Sequence, residues 1–225
     1  MANFMIRKLI KNLTNVIYSI LFSIRNTTCW GSFFVGWGGA KMNSKIKYRV
    51  NYKKAIEIIV WLANQKPNID IYHIAKVLFY AEKDHLNLYA RPIIGDAYIC
   101  HEYGPFPSTI LNLIHQEERW IDPIYLENIN KSIKVSRDKF PRITPLRQPD
   151  LDFFSETDIN CLIKALRNYG DLSFDELKNL THEEKSYYGT DLLNSIDYAL
   201  MIDNTNPDYD WIVKEINEIA QYTEL

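Results

Sequence analysis

Glycine is scarce in this chain, with eight in 225 residues. That leaves little room for glycine-rich loops that cradle phosphates, and no Gly-x-Ser-x-Gly elbow or dinucleotide fingerprint occurs. Cysteine is scarcer still. Cys29, Cys100 and Cys161 are odd in number and widely spaced, which argues against a disulfide framework and for a reducing compartment. Paired metal-ligand motifs are missing too. There is no Cys-x-x-Cys and no His-x-x-x-His. His182-Glu183-Glu184-Lys185-Ser186 begins like a zinc-protease helix but has Ser186 where the second histidine belongs. Cys100 and His101 are neighbours on an expected strand, so they point to opposite faces and cannot readily share a metal. No cofactor and no metal is expected.

No apolar run is long enough to span a membrane; Val16 to Ile24 falls far short of about twenty residues. Acidic residues are absent from residues 1–41, which carry Arg7, Lys8, Lys11, Arg25 and Lys41. The net charge of −2 therefore hides an asymmetry: past residue 41, 21 basic residues face all 28 acidic ones. A domain that acidic is a poor candidate for phosphate-driven nucleic-acid binding. One segment runs the other way. Lys131 to Arg147 holds six basic residues against Asp138 alone; it reads as a solvated hairpin or as a contact surface for an acidic partner.

Residues 1–41 look foreign to the rest, and three readings stand: an over-extended gene start with Met42 as the initiator, a membrane-surface anchor, or an export signal without its small-x-small cleavage pattern. On the first reading, a chain starting at Met42 folds and functions like the whole. Residues 42–225 read as one α+β domain, predominantly α-helical, with a small antiparallel β element. Helices are expected at Tyr52–Gln65, with Ile56, Ile59, Val60 and Ala63 inward, and at Ile71–Tyr89 behind an Asp70 N-cap. In the second, Ile74, Ala75, Leu78, Ala81, His85, Leu88 and Tyr89 form the apolar stripe. Lys76, Lys83, Asp84 and Asn87 fall mainly on the other face. Arg91-Pro92 stops that helix, Gly95-Asp96 makes a turn, and a strand is expected over 97–103. Pro107 suits the first turn of a helix running to about Arg119. Two short strands are expected at Ser132–Ser136 and Phe140–Thr144. Ser155-x-x-Asp158 opens a helix ending at Gly170, Ser173-x-x-Glu176 is a capping box, and Asn206-Pro207 opens the last helix.

The stretch from Leu78 to Ser108, LFYAEKDHLNLYARPIIGDAYICHEYGPFPS, resembles the signature of the Panacea antitoxin family, also called SocA-like or phage-associated proteins. Tyr80, His85, Arg91, Pro92, Ile93, Gly95, Asp96, Tyr98, Tyr103, Gly104, Pro105, Pro107 and Ser108 carry the match. FSETDIN, the Asn-Tyr-Gly-Asp turn and DELKNLTHEE, with His182 in its Leu-Thr-His element, add a weaker one, so the resemblance covers about Tyr52 to Tyr188. Ala90 stands where a glycine is usual, and Tyr187-Tyr188 where many members have tryptophan.

The resemblance implies an antitoxin of bacterial or phage origin that neutralises a toxin encoded beside it by direct contact, in the cytoplasm and without catalysis. Two rivals remain: an adaptor that delivers a partner to a cytoplasmic protease, and an enzyme using His85 or His182 with carboxylates nearby, such as Glu82, three residues from His85. No nucleic acid is expected as a partner, nor a membrane unless residues 1–41 anchor to one. Arg91 and Asp96 are expected to form a local ion pair across the turn. Tyr98, Tyr103 and Phe106, beside a rigid Gly-Pro junction, are candidates for a contact patch.

Overall fold

The computed structural model describes residues 46, 48–138 and 141–220, so the expectations for residues 1–41 lie outside it. Helix α1 (Tyr52–Gln65) starts on Asn51, whose side chain accepts from the Lys54 amide, and stops ahead of Pro67. Helix α2 (Ile71–Tyr89) starts on Asp70, which accepts from the His73 amide. Both helices have the bounds expected of them; Asp70 is the expected cap, and Asn51 caps α1 in the same way. The faces do not all agree. Ten consecutive residues of α1, Lys54 to Ala63, are buried, because α1 is packed all round rather than along one stripe. On α2, Lys76 is buried while Leu88 and Tyr89 are exposed; at the C-terminal end it is the face with His85, Leu86 and Ala90 that is packed.

Strands β1 (Tyr98–Ile99) and β2 (Phe106–Pro107) pair antiparallel with Tyr98 opposite Pro107. The expected seven-residue strand is thus shorter. After Ile99 the chain is held by the segment at 193–196 instead: the Cys100 amide donates to Asn194 O (2.9 Å) and the Ile196 amide to Tyr98 O (2.8 Å). Helix α3 (Ser108–His115) follows; Pro107 sits just before it at the N-cap and not inside its first turn. Helix α4 (Pro123–Ser132) has no counterpart in the expectations, although Asp122 caps it, Pro123 opens it and Leu126 and Ile129 are buried on one face. Strands β3 (Ile133–Val135) and β4 (Ile143–Pro145) make the second two-stranded antiparallel sheet.

Helix α5 (Glu156–Tyr169) and helix α6 (Phe174–His182) both begin with complete capping boxes, at Ser155/Asp158 and Ser173/Glu176. A short helix α7 (Lys185–Tyr188), a 3-10 turn at Tyr198–Met201 and helix α8 (Tyr209–Ala220) complete the order. The fold is α-dominated α+β, and α2 is its axis, packing on α3, α5, α6 and α8.

Helix α2 ends on Ala90 in the left-handed conformation, φ 53°. A Cβ is strained there and glycine is not. Ala90→Gly is expected to stabilise the domain by roughly 0.5–1 kcal/mol, read as a rise in denaturation midpoint.

Candidate functional site

The residues between α2 and α3 are organised by two buried carboxylates. Glu82 is 1% exposed and faces the turn after Pro92. It accepts from the amides of Ile93 (2.9 Å), Ile94 (3.2 Å) and Gly95 (2.8 Å). The Tyr198 hydroxyl, 3.1 Å away, joins it while donating to Asp96 O at 2.8 Å. Asp96 is fully buried and accepts from Thr109 N (2.9 Å), Ile110 N (3.0 Å) and Ser108 Oγ (3.3 Å). Pro107 has no side chain able to cap α3, so Asp96 caps it from the preceding turn. Burial raises both carboxyls above the usual range, against the pull of those amides.

The expected Arg91–Asp96 ion pair is therefore not formed. The helix cap holds Asp96, and Arg91 turns to α5, donating to Ser155 Oγ (3.0 Å) and Thr157 Oγ1 (3.1 Å). Nor do Glu82 and His85 meet. His85 is fully buried; its Nδ1 donates to Arg91 O (2.7 Å), so Nε2 accepts from Thr157 Oγ1 (3.0 Å). Asp158, 1% exposed, lies against Lys54 (3.1 Å), His85 (3.3 Å) and Arg91 (3.5 Å). Burial would raise the Asp158 carboxyl, but the Ser155 amide and Lys54 hold it below its ordinary value. His85 thus bolts α2 to α5.

The Gly-Pro junction is seated on Lys76. Its ammonium is buried, donates to Pro105 O (2.7 Å) and lies 4.9 Å from the Tyr72 ring. Burial pushes Lys76 well below an ordinary lysine. Gly104 has φ +90°, and a Cβ there would meet Thr181 Oγ1 at 2.3 Å. Thr181 lies in the Leu-Thr-His element, so the two matching stretches of sequence touch at this glycine.

Most of the signature is thus internal. Pro92, Gly95, Asp96, Tyr98, Gly104, Pro105 and Pro107 are buried, and Tyr80 stacks on Tyr169 at 3.9 Å. Tyr103 and Phe106 are half-buried. Tyr103 meets Phe174 edge-on (5.5 Å), Phe174 meets Tyr72 (4.5 Å), and Phe106 meets His101 (5.5 Å). Lys178 stands 5.7 Å over the Tyr103 ring. His182 stacks flat on Tyr187 (4.1 Å) and reaches Glu102 O (3.1 Å). Tyr72, Phe174 and Tyr103 form a continuous run of half-buried rings, and the buried His101 ring, 5.4 Å from Tyr103, joins Phe106 to it as the fourth ring of the patch. The sequence singles out Tyr103 and Phe106 but not Tyr72 or Phe174, which lie about 30 and 70 residues away along the chain. Among the described residues, no three His, Cys, Asp or Glu side chains converge as metal ligands would.

Burial holds His85, His101, His115 and His182 below the ordinary histidine value, while His73 is raised by its hydrogen bond to Asp70. A histidine held low in the folded state contributes stability above its unfolded value, about 6.5, and loses it as pH falls. His85→Gln is expected to lower the melting temperature at pH 7.5. The variant should then change less than the parent between pH 7.5 and 5.5, a difference that thermal melts at the two pH values resolve.

One family model, described as the SocA-like antitoxin Panacea domain, matches residues 74–187. The span contains every signature residue from Tyr80 to His182. No curated protein matches the chain, and no solved structure does.

Proposed function

The chain belongs to the SocA-like Panacea antitoxin family, and from that premise we propose that it neutralises a toxin encoded beside it, in bacteria or a phage, by direct protein–protein binding. The observation that carries the reading is the four-ring patch over Lys76 and Gly104. Half-exposed aromatic rings on a backbone already locked in place lose little conformational entropy on binding, and such residues concentrate binding energy at interfaces. His85, with both ring nitrogens engaged inside the core, supports a structural role for that residue over an acid–base one.

The domain so proposed spans residues 42–225 and acts in the cytoplasm. The two described cysteines, Cys100 and Cys161, are free and buried. No described helix is long and apolar enough to cross a membrane.

Titrated co-expression with the neighbouring gene product tests the proposal. Rescue of growth is expected to scale with the amount of this chain, and a stable complex to co-purify. Tyr103→Ala with Phe106→Ala should weaken the complex by about a hundredfold, the loss of two hot-spot rings at 1–2 kcal/mol each, with the fold retained. Rescue far below one molecule per toxin, with no complex recovered, would overturn sequestration in favour of an enzyme or a protease adaptor.

A further inference from the structure

We infer that the outer edge of β3 is a docking strand for an extended, acidic segment of a protein partner, added by backbone pairing. The identification of that partner with a toxin rests on the antitoxin reading; the edge itself does not.

The hydrogen-bond register makes the edge. The Ser136 amide donates to Arg142 O (2.9 Å) and the Leu146 amide to Ser132 O (2.8 Å). Those are the bonded pairs of the ladder, so Ile133 and Val135, between them, turn their backbone groups away from β4. The far side of β4 is taken: the Ile143 amide donates to Ile69 O (2.9 Å), and Arg142 bridges Asp70. The outer side of β3 has no strand beside it among the described residues. The Ile133 amide closes α4 on Ile129 O. That leaves Val135, with N–H and C=O both outward, as the pairing position, preceded by the Ile133 carbonyl.

A groove of about 480 Å³ is lined by residues 133–137 together with Ile114 and His115 at the end of α3. Its chemistry selects the occupant. Of the basic residues between Lys131 and Arg147, Arg147 binds the buried Glu57 in a bidentate pair (2.5 and 2.7 Å) and Lys131 pairs with Glu127. Arg142 donates to Asn68 O. Lys134 and Arg137 are exposed and meet no carboxylate among the described residues. A strand added here would place apolar side chains on the Ile114–Val135 side and, alternating with them, acidic ones toward Lys134. A second copy of the chain offers Ile133-Lys134-Val135-Ser136-Arg137 at this edge, with no carboxylate to answer Lys134 and Arg137, so an acidic partner is favoured over self-pairing. Strand addition of this kind draws affinity from main-chain bonds and specificity from alternate side chains.

The probe is an acetylated, amidated hexapeptide of alternating Val and Glu, titrated into the whole 15N-labelled chain, with its Val/Lys counterpart and an oligothymidylate as controls. The Val/Glu peptide should shift the amides of residues 133–137 and slow exchange of the Val135 amide; the Val/Lys peptide should bind weaker by at least about tenfold. Val135→Pro removes the outward donor at an edge position that tolerates proline and should abolish the shifts. Lys134→Glu, which leaves the ladder untouched, should reverse the preference between peptides. Equal binding of both peptides, shifts centred elsewhere, or stronger binding of the oligothymidylate would overturn the inference. If the peptide result fails while co-expression still rescues growth, the edge is wrong and the antitoxin reading survives. If rescue fails while the peptide result holds, the reverse follows.

Discussion

Glu82→Ala is expected to lower the melting temperature of the domain by roughly 10 °C. The change removes the acceptor of three consecutive buried amides, at Ile93, Ile94 and Gly95, and a partner of the Tyr198 hydroxyl. A buried donor left without an acceptor costs about 1–3 kcal/mol. The donors share one acceptor, so their losses do not add fully; roughly 4 kcal/mol is the expected total, a large part of the 5–15 kcal/mol that holds a typical domain. For a chain of this size that is a fall of roughly 10 °C in melting temperature. Glu82→Gln retains one acceptor oxygen but sets an NH2 group against backbone N–H donors, so it should lie between alanine and the parent. A melting temperature within about 2 °C of the parent for Glu82→Ala would show that the turn holds without its carboxylate. Asp96, which caps α3 across the same turn, makes the loss propagate: once the Ile93–Gly95 turn opens, the cap on Thr109 and Ile110 goes with it.

The second large effect is expected at the Gly-Pro junction. Gly104→Val should cost about 3 kcal/mol or more and yield little soluble protein. Two independent causes act there. The backbone sits at φ +90°, where a β-branched residue is strained, and the added Cβ falls 2.3 Å from Thr181 Oγ1 and 3.0 Å from Lys76 Nζ. The threonine hydroxyl is itself tied to Leu177 O (2.9 Å) and Lys178 O (3.0 Å), so it cannot swing aside without giving up its acceptors. Combining Gly104→Ala with Thr181→Ala separates the causes: removing the hydroxyl should recover the part due to the clash and leave the part due to φ. Because Phe106 and Tyr103 flank the junction, complex formation should fall further than stability accounts for. Unchanged melting and unchanged neutralisation for Gly104→Val would remove any role for the junction.

The positions of α1 and α2 are legible in the chain because their signals are local. Asn51 and Asp70 each reach an amide three residues ahead, and Pro67 and Pro92 forbid continuation. The capping boxes at Ser155 and Ser173 work over the same span. The family is legible for a related reason: most of its signature residues fall close together, between Tyr80 and Ser108, and Tyr80 through His182 all lie in the matched span. The strand over 97–103 is half right. Alternation marks its start, but where it stops depends on the 193–196 segment, which no nearby residue announces.

Residue order by itself therefore determined the α-rich α+β class, the main helix boundaries and the membership of an antitoxin family, all of which rest on interactions within a few residues or on motif spacing. Only the tertiary structure decided what the charged residues do. Lys76 and Glu82 share a helix with Lys83 and Asp84 and look no different in the sequence, yet the first two are buried and the others partly exposed. What separates them is the partner each meets. Lys76 finds a carbonyl 29 residues on, and Glu82 finds three amides 11–13 residues on and a hydroxyl 116 residues on. Arg91 finds two hydroxyls 64 and 66 residues on. A charge enters the core only where such groups converge to replace its water, and that convergence exists once the chain has folded.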